Sequence, residues 1–447
     1  MPLFKLRGVH MKHHKNTASM KAVRMDTPSE VVIPMSMHIG APATPIVKVG
    51  EHVLVGQKIA QANGFISAPI HASISGTVKK IENRLASNGS YVEAITIASD
   101  NLMEVSPNVK PIEVNDTATF VEAIKESGLV GLGGAGFPTY VKLSIKDLSK
   151  VEEVVINCAE CEPYITSDTR TMIDDIDWIE QGVQLLEKYL LAKKIIFGIE
   201  ANKQEAIESL KTIQAKDERV EVKVLKASYP QGGEKVLIYN TTKKIIPEGK
   251  LPLDKGVVIM NVTTLATMAK YIKTGMPLVE KVVTVDGGAA QNPQNVIVPI
   301  GTKLKDVFAF CGGFKETPYK VIYGGPMMGI TVPNLDEPIL KNTNAILAFD
   351  KKEAYIPETS NCIKCGRCIN NCPLHLNPTI FAKAVDLKQP ELLVKYKVNL
   401  CMECGVCSYV CPAKRPLVQK NRLAKVKLKK YLNELKKKGE EEKNDNK

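Results

Sequence analysis

Eight of the eleven cysteines of this 447-residue chain fall in two copies of one spacing. Cys362-x2-Cys365-x2-Cys368-x3-Cys372-Pro373 is followed by Cys401-x2-Cys404-x2-Cys407-x3-Cys411-Pro412. Three thiolates at x2 intervals wrap one corner of a cube of iron and sulfide, and the fourth, displaced by the proline, reaches across to the other cube. The spacing predicts two [4Fe–4S] clusters, one on Cys362, Cys365, Cys368 and Cys411, the other on Cys372, Cys401, Cys404 and Cys407. A pair of zinc sites is the lesser alternative: zinc uses two CxxC pairs and needs neither a third cysteine at x2 nor the Cys-Pro.

A second group of residues suits a phosphate. Gly131-Leu132-Gly133-Gly134-Ala135-Gly136-Phe137-Pro138-Thr139 contains the GxGxxG pattern, but a helical pattern rather than a strand precedes it, which argues against the dinucleotide fold. Glycines without Cβ still let backbone N–H groups approach a phosphate, and Lys142 adds a positive charge. A plain glycine turn is the alternative. It loses ground because Asn157-Cys158-Ala159-Glu160-Cys161-Glu162-Pro163 ends the next strand, where ligands of α/β sheets gather.

The elements that must position these residues follow from periodicity. Residues 1–30 read as a basic arm, with His10, His13 and His14 as solvated residues. Residues 31–112 read as short strands with glycine turns, a barrel-sandwich domain like those of biotinyl and lipoyl carriers. No lysine lies between Lys58 and Lys79 to carry a cofactor, so a structural or docking role is expected, with His38 and His71 in core or interface positions. Residues 113–278 alternate strand and helix from the N-cap candidate Asp116 onward, predicting an α/β domain with a largely parallel sheet. Residues 279–345 return to short strands as a β-grasp module. Residues 346–412 hold the cysteine repeats, with helices expected in the insert between Cys372 and Cys401. Residues 413–447 form a basic tail on which Ala424, Leu428, Tyr431 and Leu435 make one apolar stripe. The fold class is α/β multidomain.

GLGGAGFPTYVKL followed by NCAECEP resembles the flavin-binding segment of the NADH-oxidising subunit of respiratory complex I, and more closely the RnfC family of Rnf-type ferredoxin:NAD oxidoreductases. Tyr229-Pro-Gln-Gly-Gly-Glu234 and Met260 to Leu265 match further blocks of that module. VVTVDGG resembles the start of its β-grasp (SLBB-like) domain, and RGVHMKHHK and HIGAPATPIVKVGEHVLVGQKI resemble the family's opening. The resemblance implies FMN held by Gly131, Gly133, Gly134, Gly136, Lys142, Asn157, Glu160, Asn261 and Thr264, with Phe137, Glu162 and Glu234 lining the nicotinamide side. Glu160 and Glu162 are the implied catalytic residues, tuning the flavin. Leu132 stands where the complex I loop has arginine, and Gly233 where it has an acidic residue. Two clusters instead of one favour the Rnf family.

What the resemblance implies is a peripheral subunit on the cytoplasmic side of the cell membrane, exchanging electrons between NAD(H) at the FMN and two [4Fe–4S] clusters. The other membrane and iron–sulfur subunits would be its partners, ferredoxin an indirect one, and ion translocation would be theirs. A corrinoid reductase of the propanediol-utilisation type has similar modules in another order. A zinc-stabilised scaffold without catalysis is the alternative from another class.

Composition narrows the field in the same direction. With 44% apolar and 24% charged residues the chain is an ordinary globular one. No apolar run suggests a bilayer span, and the N-terminus lacks the apolar core of a signal peptide, so a cytosolic chain with cysteines used for metal or redox chemistry is expected. The net charge of +12 is uneven. Residues 1–24 carry six Lys/Arg and no acid, residues 413–447 thirteen against five, and the body between sums to −2. Such ends read either as solvated tails or as docking segments for an anionic surface. Nucleic acid is not expected, since no aromatic-rich basic strand or helix-turn-helix pattern accompanies the charge.

Overall fold

The computed structural model describes residues 8–87 and 89–445, so residues 1–7 of the expected arm and 446–447 of the expected tail lie outside the described residues. The chain forms two compact units. One takes the described residues up to 12, residues 227–236 and the described residues from 355 on; the other takes 13–226 and 237–354.

In the larger unit, Glu30–Pro34, Tyr91–Ser99, Gly76–Leu85 and His52–Val53 pair in that order into an antiparallel sheet. Thr44–Pro45, Lys58–Gln61 and Ile70–His71 form a second one. Alternation places Val31, Ile33, Ile95 and Ile97 on one face, and with Ile59 and Ile70 they share one core. The α/β part follows. Asp116 caps the Thr117–Glu126 helix, its side chain accepting from Thr119 N. The sheet runs Val220–Leu225, Lys194–Glu200, Glu153–Cys158, Val257–Asn261, every pair parallel. Its strands are apolar on both faces: Val154 and Ile156 join the main core, while Val155 packs with Leu237, Ile238 and Ile259. The register sets Asn157 beside Asn261 at the carboxyl ends of adjacent strands.

The β-grasp sheet is larger than its sequence limits. Ala345–Phe349 pairs with Glu280–Asp286 and Lys320–Tyr323, so the module continues past residue 345. Val23–Arg24 adds a parallel edge strand beside Gln294–Pro299. From residue 13 onward the expected arm is therefore part of the body. Thr17 is fully buried, its carbonyl accepting from Asn295 Nδ2 at 2.9 Å, and His14 stacks on Tyr164 with ring centroids 4.7 Å apart. Charge counting cannot see this, because a lysine with enough carbonyl acceptors can be buried.

The smaller unit is helical around its cysteines. Pro378–Asp386 and Pro390–Lys395 occupy the insert between Cys372 and Cys401. The C-terminal helix, Leu417–Asp445, packs on them: Ala424 and Leu428 share a core with Phe381, Ala384, Val385 and Leu393. Lys420 pairs with Asp386 and Lys425 with Glu403. Only the distal part of the expected stripe remains outside, with Leu435 exposed. The segment read as a tail thus begins as core, because its apolar face has a partner within the same unit. Among the described residues no helix is long and apolar enough to cross a membrane.

Candidate functional site

The glycine run is a closed loop. Gly131 N donates to Phe137 O at 2.8 Å and Thr139 N to Leu129 O at 3.1 Å, pinning both ends. Its carbonyls are taken up by the chain: Leu132 O accepts from Lys281 Nζ at 3.4 Å, Gly134 O from Asn342 Nδ2 at 2.9 Å and Gly136 O from Ile39 N at 3.1 Å. Leu132 N donates to Thr264 Oγ1 at 3.0 Å. Gly133, Gly134 and Ala135 are exposed. A Cβ on Gly133 would lie 2.5 Å from Asn261 Nδ2, whereas one on Gly134 would meet nothing within 4 Å. A loop whose carbonyls are engaged and whose outer glycine faces open space fits a phosphate approaching the backbone.

Beneath the loop lies a polar network that ties its expected ligands together. Asn261 caps the Val262–Thr274 helix, accepting from Thr264 N, and its Nδ2 donates to Asp168 Oδ2 at 2.7 Å. Thr263 Oγ1 donates to Asp168 Oδ1 at 2.6 Å. Asn157 Oδ1 accepts from Ala159 N at 3.1 Å, and Lys142 Nζ donates to Ile259 O at 3.2 Å. Burial pushes Lys281 down to about 8, with the Asp168 charge opposing. Phe137 is half-buried in the loop wall.

The two acidic residues are committed to fastening loops. Glu160 accepts from Asp168 N at 2.6 Å and Thr169 Oγ1 at 2.6 Å, at the start of the Ser167–Asp174 helix. Its side chain is only 3% exposed, and burial pushes its carboxyl up while Lys15 opposes. Lys15 Nζ donates to Glu160 O at 2.8 Å and Glu162 O at 2.9 Å, and also to Ile165 O. Glu162 accepts from Met327 N at 3.1 Å and Met328 N at 2.9 Å. Cys158 is fully buried, and burial pushes its thiol well above the ordinary range. Sequence reasoning missed Lys15, Asp168 and Lys281. Asp168 had a legible signal, an acidic residue in the first turn of a helix; the other two are recognisable only from the carbonyls they meet.

Glu234 lies apart from these residues, exposed in the smaller unit. There a Cβ on Gly233 would come within 2.1 Å of the Met402 side chain. An acidic residue has no room at 233, because the loop between Cys401 and Cys404 occupies the space.

In the same unit Cys362, Cys365, Cys368 and Cys411 line one cavity, and Cys372, Cys401, Cys404 and Cys407 line another. Each set draws three cysteines from one repeat and one from the other. Cys362 and Cys365 are exposed, whereas Cys404 and Cys407 are buried. Burial pushes the Cys404 thiol up to about 12, so a thiolate there needs a metal's charge beside it, as a ligand position has. The donor set is four soft sulfurs per cavity, which fits iron–sulfur ligation.

Comparison with known proteins agrees region by region. Residues 4–102 match the RnfC barrel sandwich hybrid domain, 124–270 the Nuo51 FMN-binding domain, 282–331 the SLBB domain and 359–415 the 4Fe-4S dicluster domain. The RnfC protein of the Na(+)-translocating ferredoxin:NAD(+) oxidoreductase complex of Acetobacterium woodii is 44% identical over 425 residues, 94% of this chain and 95% of the relative. Its counterpart in the proton-translocating ferredoxin:NAD(+) oxidoreductase complex of Clostridium ljungdahlii is 42% identical over 84% of this chain and 83% of the relative. The counterpart in the ion-translocating oxidoreductase complex of Rhodobacter capsulatus is 36% identical over 95% of this chain and 83% of the relative.

Proposed function

The chain belongs to the RnfC family of ion-translocating ferredoxin:NAD oxidoreductase complexes, and we propose that it is the subunit in which NAD(H) meets a flavin and exchanges electrons with two [4Fe–4S] clusters. When bound, FMN accepts or returns a hydride's two electrons together and passes them singly, which suits clusters that carry one each. Gly131, Gly133, Gly134 and Gly136 bring the backbone to its phosphate, and Lys142 supplies charge nearby. Asn157, Asn261 and Thr264 hold the rim of that site. Phe137, Glu162 and Glu234 serve the nicotinamide side. For Glu160 and Glu162 we assign positioning roles in place of direct catalytic contact, because their oxygens bind the chain's own N–H and O–H groups. The two cysteine quartets ligate the clusters.

The observation that carries this reading is the construction of the glycine loop: carbonyls drawn inward, Gly134 open, and Asn261 and Thr264 fixed beneath. Partner subunits would supply the membrane span and ion translocation, with this subunit peripheral on their cytoplasmic face and ferredoxin reached through them. The test uses the assembled complex with Cys365→Ala, after iron and FMN contents and assembly are measured. NADH oxidation by a small dye that takes electrons from the flavin should survive, while ferredoxin-linked NAD reduction should collapse. Normal ferredoxin-linked turnover in the folded variant would take the clusters off the route.

A further inference from the structure

Asn421 stands on the C-terminal helix, in the segment the sequence reads as tail, and is 1% exposed. Its Nδ2 lies 3.6 Å from Cys401 Sγ and 3.7 Å from Cys407 Sγ, lengths normal for an acceptor as large as sulfur. Its Oδ1 is buried with no hydrogen-bond partner among the described residues. Burying an amide with an unmet oxygen lowers stability relative to an apolar residue. The arrangement is explained if the amide N–H groups are needed, and anionic sulfur selects the orientation in which Nδ2 faces the thiols.

We propose that Asn421 is a positioning residue that raises the reduction potential of the cluster on Cys372, Cys401, Cys404 and Cys407 by donating N–H hydrogen bonds to two of its thiolates. Reduction adds negative charge that spreads onto the ligand sulfurs, and a fixed N–H dipole stabilises the reduced form more than the oxidised one. Leu376 N adds a backbone donor to Cys372 Sγ at 3.3 Å in the same quartet. The side-chain donor comes from a helix outside both cysteine repeats, so it distinguishes two clusters whose ligand spacing is the same.

The inference rests on the cluster assignment of the preceding section, and the experiment separates the two. Wild type, Asn421→Leu and Asn421→Ser are purified anaerobically with full iron, and each cluster is titrated by EPR-monitored redox potentiometry. A Cys365→Ala background assigns the signal of the buried quartet. Wild type lacking a signal from that quartet removes the cluster assignment itself. With the signal present, each iron-replete Asn421 variant should shift that midpoint to more negative values, a tenfold change in the one-electron equilibrium being about 59 mV. The other midpoint should stay in place. Unchanged midpoints in an iron-replete variant overturn the inference, and so does loss of the cluster in both variants, which would make Asn421 a packing residue.

Discussion

The glycine loop and the cysteine loops both serve cofactors, yet they are built in opposite ways. Around the glycine loop the chain is bonded to itself: Leu132 N to Thr264 Oγ1, Asn261 to Asp168, Lys15 to three carbonyls. The cysteines of residues 362–411 instead surround two cavities, with the stretch 355–366 free of helix or strand. A phosphate is held by a surface that must exist before it arrives, whereas a cluster bridges chain segments by covalent bonds to iron. The first site is therefore preorganised, and the second depends on its metal for shape. Within the second, the quartet containing Cys362 and Cys365 is open and the one containing Cys404 and Cys407 is enclosed.

The largest expected effect comes from taking the iron away. Anaerobic chelation should abolish amide-exchange protection across residues 355–412, on the order of 10 kcal/mol by the measure of structural metal sites. Protection across the parallel sheet of residues 153–261 should persist, and FMN should still bind. Iron loss should be biphasic, the open quartet emptying first. Retained protection in the iron-free cysteine region would break the contrast.

Next in size is truncation at the C-terminal helix. Ending the chain at residue 416 removes Leu417, Val418, Ala424 and Leu428 from buried positions, roughly 1.5–3 kcal/mol for each large side chain. Both clusters should become labile, whereas ending it at residue 437 should leave iron content and melting temperature unchanged. Membrane attachment of the complex is a separate readout of the distal segment. Stable clusters in the 416 truncation would show that the helix is dispensable for the enclosed site.

Acid should act on the flavin-bearing unit. His38 is buried, and its Nε2 accepts from Ala68 N at 3.1 Å, which requires a neutral ring. Burial pushes His38 down to about 4 and His71 well below the usual imidazole range, with the Lys341 ammonium adding to both. Folded pKa values below the unfolded one mean that stability is full above pH 6.5 and falls as pH drops, for His38 until about pH 4. The slope is about 1.4 kcal/mol per pH unit for each imidazole. Denaturant titrations monitored in this unit should show it, and a His38→Gln, His71→Gln variant should flatten the dependence. A slope unchanged in that variant would place the acid sensitivity elsewhere.

The smallest effect sharpens the comparison at one residue. Gly134→Ala should change the stability of the flavin-free protein by under about 1 kcal/mol, since the new methyl meets open space, yet weaken FMN binding. Gly133→Ala should lower stability by about 1–3 kcal/mol, because Asn261 is held by Asp168 and cannot move aside. Fluorescence titration with FMN together with urea unfolding separates the two. Equal losses of stability would mean that Gly134 is a turn glycine and nothing more.

Local rules made much of this protein legible in its sequence. Cysteine spacing is read within a few residues, and so divided eight thiols into two quartets that the fold places around two cavities. Periodicity and capping chemistry marked the Asp116 helix start, the parallel sheet and the helices of the insert. Gly131 to Gly136 stood out because glycine clusters have few other uses. What the chain order conceals is which polar groups find partners far away. Lys15 and Asn421 sit in two basic ends that look solvated by composition, yet Lys15 reaches the Ile165 carbonyl 150 residues on, and Asn421 reaches two sulfurs of the cysteine repeats. Glu160 and Glu162 looked free to act and are instead held by backbone N–H groups. Burial of a charge is decided by acceptors gathered from distant segments, and only the tertiary structure assembles them.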